Sequence, residues 1–239
     1  MPDTLRRLDY ARRLLTDIER SRHTTGNRAG WIIPLAIPAI DSCISMGGIN
    51  APALHEIHGR IGNGVATGFA LWLARQALTH RNGSVFWISA PHVADSDTLY
   101  LPALDGELQD RLTLIEVRHR RDILWAFEEV LNSGQAAAVI AETTEINLTT
   151  ARRLQLASEQ GHCLAIALCR SGADVKPANS VARTRWRGTS CREGWLLELV
   201  GGRGVRPGAW KVQHNATTFS LHLVSPTGDG PLSERYDAA

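Results

Sequence analysis

From Leu54 to Cys169 the chain alternates short apolar runs with segments of helical periodicity, and this pattern narrows the fold more than any other feature. Runs such as Val85-Phe86-Trp87-Ile88 and Ala136-Ala137-Ala138-Val139-Ile140-Ala141 have the length and composition of buried strands. Between them lie stretches with apolar residues three and four apart, such as Ile123, Phe127, Val130 and Leu131. That order predicts an α/β fold, a mainly parallel sheet flanked by helices. Strands are expected near 54–58, 84–89, 112–117, 136–141 and 162–168, and helices near 66–80, 97–104, 122–133 and 148–160. Asp122 and Asn147 stand where they would cap the third and fourth of these helices.

After Arg170 the helical pattern stops. A polar stretch with Gly172 and Pro177 leads into runs of two-residue alternation over 183–187, 195–200, 209–214 and 218–224. Turns such as Arg206-Pro207-Gly208 and His214-Asn215 join them, so they should extend the sheet with antiparallel strands. At the other end, Leu5, Leu8, Leu15 and Ile18 share one helical face ringed by Arg6, Arg7, Arg12 and Arg13. This is an amphipathic helix that either folds back on its own domain or docks on a partner. Ser21 to Gly30 reads as a linker. The organisation expected is a helix and linker over 1–30, a core domain over 31–224 and a disordered tail over 225–239.

With 239 residues, 44% of them hydrophobic, the chain can bury one sizeable core, whereas two full domains would be crowded. No apolar run approaches the ~18 residues that cross a bilayer, and the N-terminus is charged, unlike a secretory signal. A cytoplasmic protein without membrane contact is expected. Cys43, Cys163, Cys169 and Cys191 form no C-x-x-C pair and read as reduced thiols rather than metal ligands. A net charge of +2 does not announce a nucleic-acid binder, although arginine crowds into the first twenty residues, Arg118-His119-Arg120-Arg121 and the region from Arg183 to Lys211.

One turn carries a candidate site. Leu54-His55-Glu56-Ile57-His58-Gly59-Arg60-Ile61-Gly62-Asn63-Gly64-Val65-Ala66-Thr67-Gly68 has the layout of a strand, a glycine-rich turn and a helix start. Gly59 and Gly64 keep the glycine spacing of the G-x-x-x-x-G-K-[ST] phosphate loop, with Gly62 between them, but Val65 and Ala66 stand where a lysine and a hydroxyl would grip phosphate and magnesium. The turn is therefore either a degenerate nucleotide loop, with Thr67 just inside the helix, or a plain tight turn.

Several stretches, in order, resemble the RecA-type ATPase core. Gly47-Gly48-Ile49-Asn50-Ala51-Pro52-Ala53-Leu54 resembles the approach to its phosphate loop, and Val85-Phe86-Trp87-Ile88-Ser89-Ala90-Pro91-His92 its second strand and catalytic segment. Ser133-Gly134-Gln135-Ala136-Ala137-Ala138-Val139-Ile140-Ala141-Glu142 resembles the strand ending in the Walker B acid. More closely, Leu124-Trp125-Ala126-Phe127-Glu128-Glu129-Val130-Leu131, Thr149-Thr150-Ala151-Arg152-Arg153-Leu154, Thr184-Arg185-Trp186-Arg187 and Gly204-Val205-Arg206-Pro207-Gly208-Ala209-Trp210 are similar to the ImuA family, RecA-like accessory proteins of damage-induced mutagenesis. The resemblance covers roughly residues 31 to 224.

It implies a RecA-like P-loop NTPase fold with added C-terminal antiparallel strands. Pro91 falls at the position of the glutamate that activates water, so with Val65 and Ala66 three parts of phosphoryl transfer are missing. No enzyme activity, no cofactor and no metal are expected. Glu142 takes the Walker-B-like position, where it holds a cation, ends a strand or contacts an arginine. His92, Asp95 and Asp97 lack metal-ligand spacing. Arg183, Arg185 and Arg187 would project from one strand face with Trp186 on the other, to meet nucleic acid or an acidic partner, or to guard an edge strand. The short stretch from Ser171 to Ala182, with Lys176 its one basic residue, speaks against strong direct DNA binding. Arg203 and Arg206 lie in the turn resembling a RecA hairpin that crosses a subunit interface, and Trp31 is the candidate interface anchor.

The resemblance thus implies a non-catalytic adaptor supporting translesion DNA synthesis with an ImuB-like polymerase subunit and a DnaE-type polymerase, and with RecA as a further candidate partner. The alternatives are a divergent RecA-fold ATPase acting in DNA repair and a cell-division inhibitor resembling SulA.

Overall fold

The computed structural model describes residues 30–91, 99–171, 180–215 and 217–225. A small hairpin comes first, β1 (Trp31–Ile33) and β2 (Ile49–Ala51), with the short helix α1 (Pro38–Asp41) between its strands. Then follow β3 (Ala53–Arg60), α2 (Val65–His80), β4 (Ser84–Ser89), α3 (Gly106–Arg111), β5 (Leu112–Glu116), α4 (Ile123–Asn132), β6 (Ala136–Thr143), α5 (Leu148–Gly161) and β7 (Leu164–Ser171). Four strands close the sequence: β8 (Thr184–Cys191), β9 (Gly194–Gly202), β10 (Gly208–Asn215) and β11 (Ser220–Ser225).

Nine of these strands form one sheet in the order β11-β10-β9-β8-β3-β7-β6-β4-β5. From β8 to β5 every pairing is parallel, and from β8 to β11 every pairing is antiparallel. The chain is therefore α/β with a large, mostly parallel sheet and antiparallel C-terminal strands. The parallel strands form because each αβ crossover returns the chain to the same end of the sheet, while the tight turn at Arg192 and Glu193 reverses it between β8 and β9.

Helices cover both faces. On one, Phe69 and Leu73 of α2 pack against Ile57, Ile140, Ile166 and Trp186. On the other, Phe127 and Leu131 of α4 and Leu154 of α5 pack against Leu54, Val139 and Ala165. Each such fully buried large side chain contributes about 1.5–3 kcal/mol over its exposed state. β6, squeezed between the two layers, is buried at all of its positions, and its alanines leave room for helices on both sides.

Three local expectations need correction. The helix near 97–104, whose first two residues lie outside the described set, is not continuous over the rest: Leu101–Ala103 makes one 3-10 turn around Pro102. The chain restarts at Asp105, whose carboxylate accepts from the Leu108 N–H at 2.9 Å and caps α3. Asp122 precedes α4 but does not cap it, because it is already helical (φ −87°, ψ −10°) as the end of the 3-10 turn Arg120–Asp122. Asn147 is extended and does cap, accepting from the Thr150 N–H at 2.9 Å. Finally, the 183–187 run is no edge strand, since β8 lies between β9 and β3. The expected N-terminal helix and linker, apart from Gly30, and the tail beyond Ser225 lie outside the described residues.

Candidate functional site at the glycine turn and the opposite sheet end

β3 runs through the middle of the sheet and delivers the glycine turn at its C-terminal end, where open α/β sheets commonly bind ligands. Here that end is filled. A Cβ on Gly59 would stand 2.4 Å from the Ala66 Cβ, and one on Gly188 of the neighbouring β8 would stand 3.1 Å from Val65 Cγ1. Two bare glycines thus form a bed into which the first turn of α2 sinks. Val65 is 4% and Ala66 2% exposed, and Thr67 is half-buried behind them. Gly62, at φ +80°, takes the left-handed conformation the turn requires.

The turn also satisfies several of its own donors. Asn63 Oδ1 accepts from the Val65 N–H at 3.1 Å, and Asn63 Nδ2 donates to Ser190 Oγ at 3.0 Å. The Ile61 N–H donates to the Ser171 carbonyl and the Asn63 N–H to the Arg60 carbonyl, while the Gly64 carbonyl accepts from the Gly68 N–H. Pro91 sits exposed just beyond β4, and His92, Asp95 and Asp97 lie outside the described residues.

Charged side chains nearby are paired. Glu142, 6% exposed at the end of β6, meets Arg170 of β7 at 3.5 Å. Across the sheet, Glu56 accepts from the Ser180 hydroxyl and lies 3.3 Å from His58 Nε2. Arg187 pairs with Glu198 at 3.6 Å, and the Arg185 guanidinium lies against Gly201. Arg185 and Arg187 do alternate with Trp186, which is fully buried among the α2-side residues. Burial holds Cys163 up at about 12 and raises Cys169 further, which leaves both thiols protonated and unreactive. Among the described residues no group of His, Cys, Asp and Glu is arranged to hold a metal.

The N-terminal end of the parallel strands is different. The Arg183 N–H donates to the Leu54 carbonyl at 2.8 Å and the Arg203 N–H to the Arg183 carbonyl at 3.0 Å, which brings both arginines beside α5 at a cleft of about 290 Å³. Beneath them His55 is fully buried in a polar relay: Trp186 Nε1–H donates to Thr184 Oγ1, which lies 2.8 Å from His55 Nδ1, and His55 Nε2 lies 2.9 Å from the Asn50 carbonyl. Donation from Nε2 to that carbonyl and acceptance at Nδ1 fit a neutral ring. Loss of hydration pushes His55 down to about 4, with the nearby Arg183 charge adding to the effect and the Asn50 bond opposing it. Arg206, by contrast, is braced: its guanidinium donates to the Ser42 carbonyl at 2.9 Å and its N–H to the Cys43 carbonyl at 2.8 Å.

Trp31 is half-buried, stacked on His80 with ring centroids 5.3 Å apart. The most exposed tryptophan described is Trp125, at 65%. Its signal was present in the helix pattern, because it lies opposite the buried Ile123 and Phe127 on α4. Arg152, Gln155 and Leu156 of the cleft were also missed. They fall off the buried Ala151, Leu154 and Ala157 row of α5, but only the fold shows what they face.

The chain is 31% identical to the ImuA proteins of two Caulobacter vibrioides strains, over an alignment of 227 positions that covers 83% of this chain and 91% of theirs. It belongs to the ImuA family. No family profile matches it. The expected ImuA-family membership thus stands on a relationship over most of both chains, and no described helix is long and apolar enough to cross a membrane.

Proposed function

We propose that this chain is a non-catalytic, RecA-like adaptor of damage-induced mutagenesis, supporting translesion synthesis together with an ImuB-like polymerase subunit and a DnaE-type polymerase. The observation that carries the non-catalytic part is the burial of Val65 and Ala66 against Gly59 and Gly188. Phosphoryl transfer depends on cations and metal ligands aimed at the phosphates, and each removed charge-stabilising donor costs about 10²–10³ in rate. Here the lysine and hydroxyl positions are core, Pro91 has no ionisable group, and Glu142 is occupied by Arg170. The RecA-like reading is supported by a glycine turn at the end of a mid-sheet parallel strand, with parallel strands on one side and antiparallel strands on the other. The mutagenesis setting is supported by the family.

Calorimetric titration with ATP and magnesium, and hydrolysis assays with and without the ImuB-like subunit, test this reading. No heat above buffer dilution and no turnover are expected, together with capture of the ImuB-like subunit. Micromolar ATP binding or partner-stimulated hydrolysis that disappears in Gly64→Val would establish the divergent ATPase instead. Capture of the division protein FtsZ alone would favour the SulA-like reading.

A further inference from the structure

At the end of the sheet opposite the glycine turn, three arginines converge on one cleft. Arg152 comes from α5, Arg183 from the residue before β8 and Arg203 from the residue after β9. Their segments are tied by the backbone bonds through Leu54 and Arg183. Gly202 makes the closure feasible: its φ is +145°, and a Cβ there would stand 2.3 Å from the Arg183 carbonyl oxygen. On the floor, Gln155 is fixed in orientation, its carbonyl accepting from the Leu54 N–H at 2.9 Å and its amide donating to Glu159 at 2.7 Å.

The cleft's arginines differ from those held in ion pairs elsewhere among the described residues. Arg75 pairs with Asp105 and Glu107, Arg153 with Glu128, and Arg187 with Glu198. Among the described residues no carboxylate forms an ion pair with Arg152, Arg183 or Arg203. Among the described residues that line it, three guanidiniums against the one carboxylate of Glu159 leave an excess of two positive charges. Holding like charges together is unfavourable, and an anionic ligand relieves it. The wall is also apolar: Leu156 is 57% exposed at the rim, beside the half-buried Val181.

We propose that this cleft docks an acidic peptide segment of a protein partner, its carboxylates on Arg152, Arg183 and Arg203 and an apolar side chain against Leu156. Guanidinium forks suit carboxylates, and an apolar anchor beside charge complementarity is how peptide grooves gain both affinity and specificity. A single-stranded nucleic acid fits less well. It wants a continuous cationic track and aromatic platforms, whereas among the described residues no aromatic side chain lines this cleft. The proposal deepens the adaptor reading and rests on it for the partner's role, while the site rests on the cleft alone.

The test is fluorescence anisotropy with a library of labelled decapeptides mixing Asp or Glu with Leu or Phe, beside a labelled oligo-dT strand. Acidic, apolar-containing members should bind with a dissociation constant of about 10 μM, weakening at least about tenfold in Arg183→Glu/Arg203→Glu and in Leu156→Asp. Arg183→Gln/Arg203→Gln, checked for an unchanged melting temperature, guards against loss of fold and should weaken binding in the same direction. Three results would overturn the proposal: no library member binding below about 1 mM, binding indifferent to the arginines, or oligo-dT binding in place of the peptides. ATP turnover by the unaltered chain would sink the adaptor reading but leave the peptide result standing, so the two failures are separable.

Discussion

At the C-terminal end of β3 the glycine turn is packed under α2 and held by Asn63, and the N-terminal ends of the parallel strands carry cations around an open cleft. Open α/β sheets commonly bind ligands at the first of these ends, where helix N-termini point donors at a ligand. Here Ala66 and Val65 occupy that space and Asn63 takes the Val65 N–H, so the scaffold's usual ligand end contributes packing. The comparison teaches that glycines spaced like those of a ligand loop also serve to let a helix approach a sheet. Gly59 and Gly188 are explained by how close the helix comes to the strands, and Gly62 by its left-handed backbone.

The most disruptive way to break the comparison is to install a lysine and a hydroxyl in the turn with Val65→Lys/Ala66→Thr. An unpaired ammonium at a site only 4% exposed should cost about 3–5 kcal/mol, with the threonine overpacking against Gly59. Urea unfolding should show that loss, and the variant should hydrolyse no ATP. A stable variant that turns over ATP would mean the end was never closed.

Acid should act on the other end. His55 sits beneath Arg183 with its folded pKa pushed down to about 4 from an ordinary value of 6.5. Between these values the unfolded chain binds the proton and the folded chain does not, so stability is intact above about pH 6.5 and falls as the pH drops towards 4. The full effect is roughly 3 kcal/mol. Melting temperature followed from pH 7.5 to about pH 4.5 should fall less steeply in His55→Gln than in the unaltered chain. Equal slopes would show that His55 plays no part in acid sensitivity.

Much of the scaffold was legible because burial on both faces leaves a continuous apolar run. β6 and β7 are such runs, and the glycine turn followed from spacing alone. The 3-10 turn at Leu101–Ala103 was misread because nothing in a short apolar stretch says whether it will find a sheet to pack on. Asp105, a good cap followed by Gly106-Glu107-Leu108, was the readable sign of where the helix starts. Trp31 looked like an anchor since its strand is created by pairing with Ile49–Ala51, a contact between segments that local pattern does not carry. The cleft was illegible for the same reason: Arg152, Arg183 and Arg203 meet only after the sheet has formed. Arg183 and Arg203 were visible as charges, but not as neighbours.

Gly202→Ala tests that meeting with a smaller effect. The new Cβ would be 2.3 Å from the Arg183 carbonyl and its residue held at φ +145°, so about 2 kcal/mol should be lost as β8 and β9 part at this end. The diagnostic readout is hydrogen exchange. Protection should fall at the Arg203 and Arg183 amides, which bond to Arg183 and Leu54, while the Asn63 and Ile61 amides at the far end keep theirs. Uniform loss at both ends would deny that the ends behave independently.

The mildest change, Asn63→Ala, asks whether the closed end retains latent affinity for anions. It frees the Val65 N–H at the start of a 16-residue helix and removes the contact to Ser190, beside exposed Gly62 and Gly64 where water can reach. The cost should therefore be only about 1 kcal/mol, that of a lost hydrogen bond. A freed N–H at a helix N-terminus attracts anions through its partial positive charge, so any surviving phosphate cradle should show itself here first. Pyrophosphate should nonetheless leave the melting temperature of the variant unchanged, because the side chains flanking that N–H are Val65 and Ala66 and the nearest cation in the turn, Arg60, is exposed to solvent. A pyrophosphate-dependent rise in the variant that is absent from the unaltered chain would show that Asn63, and not the absence of a lysine, is what closes this end.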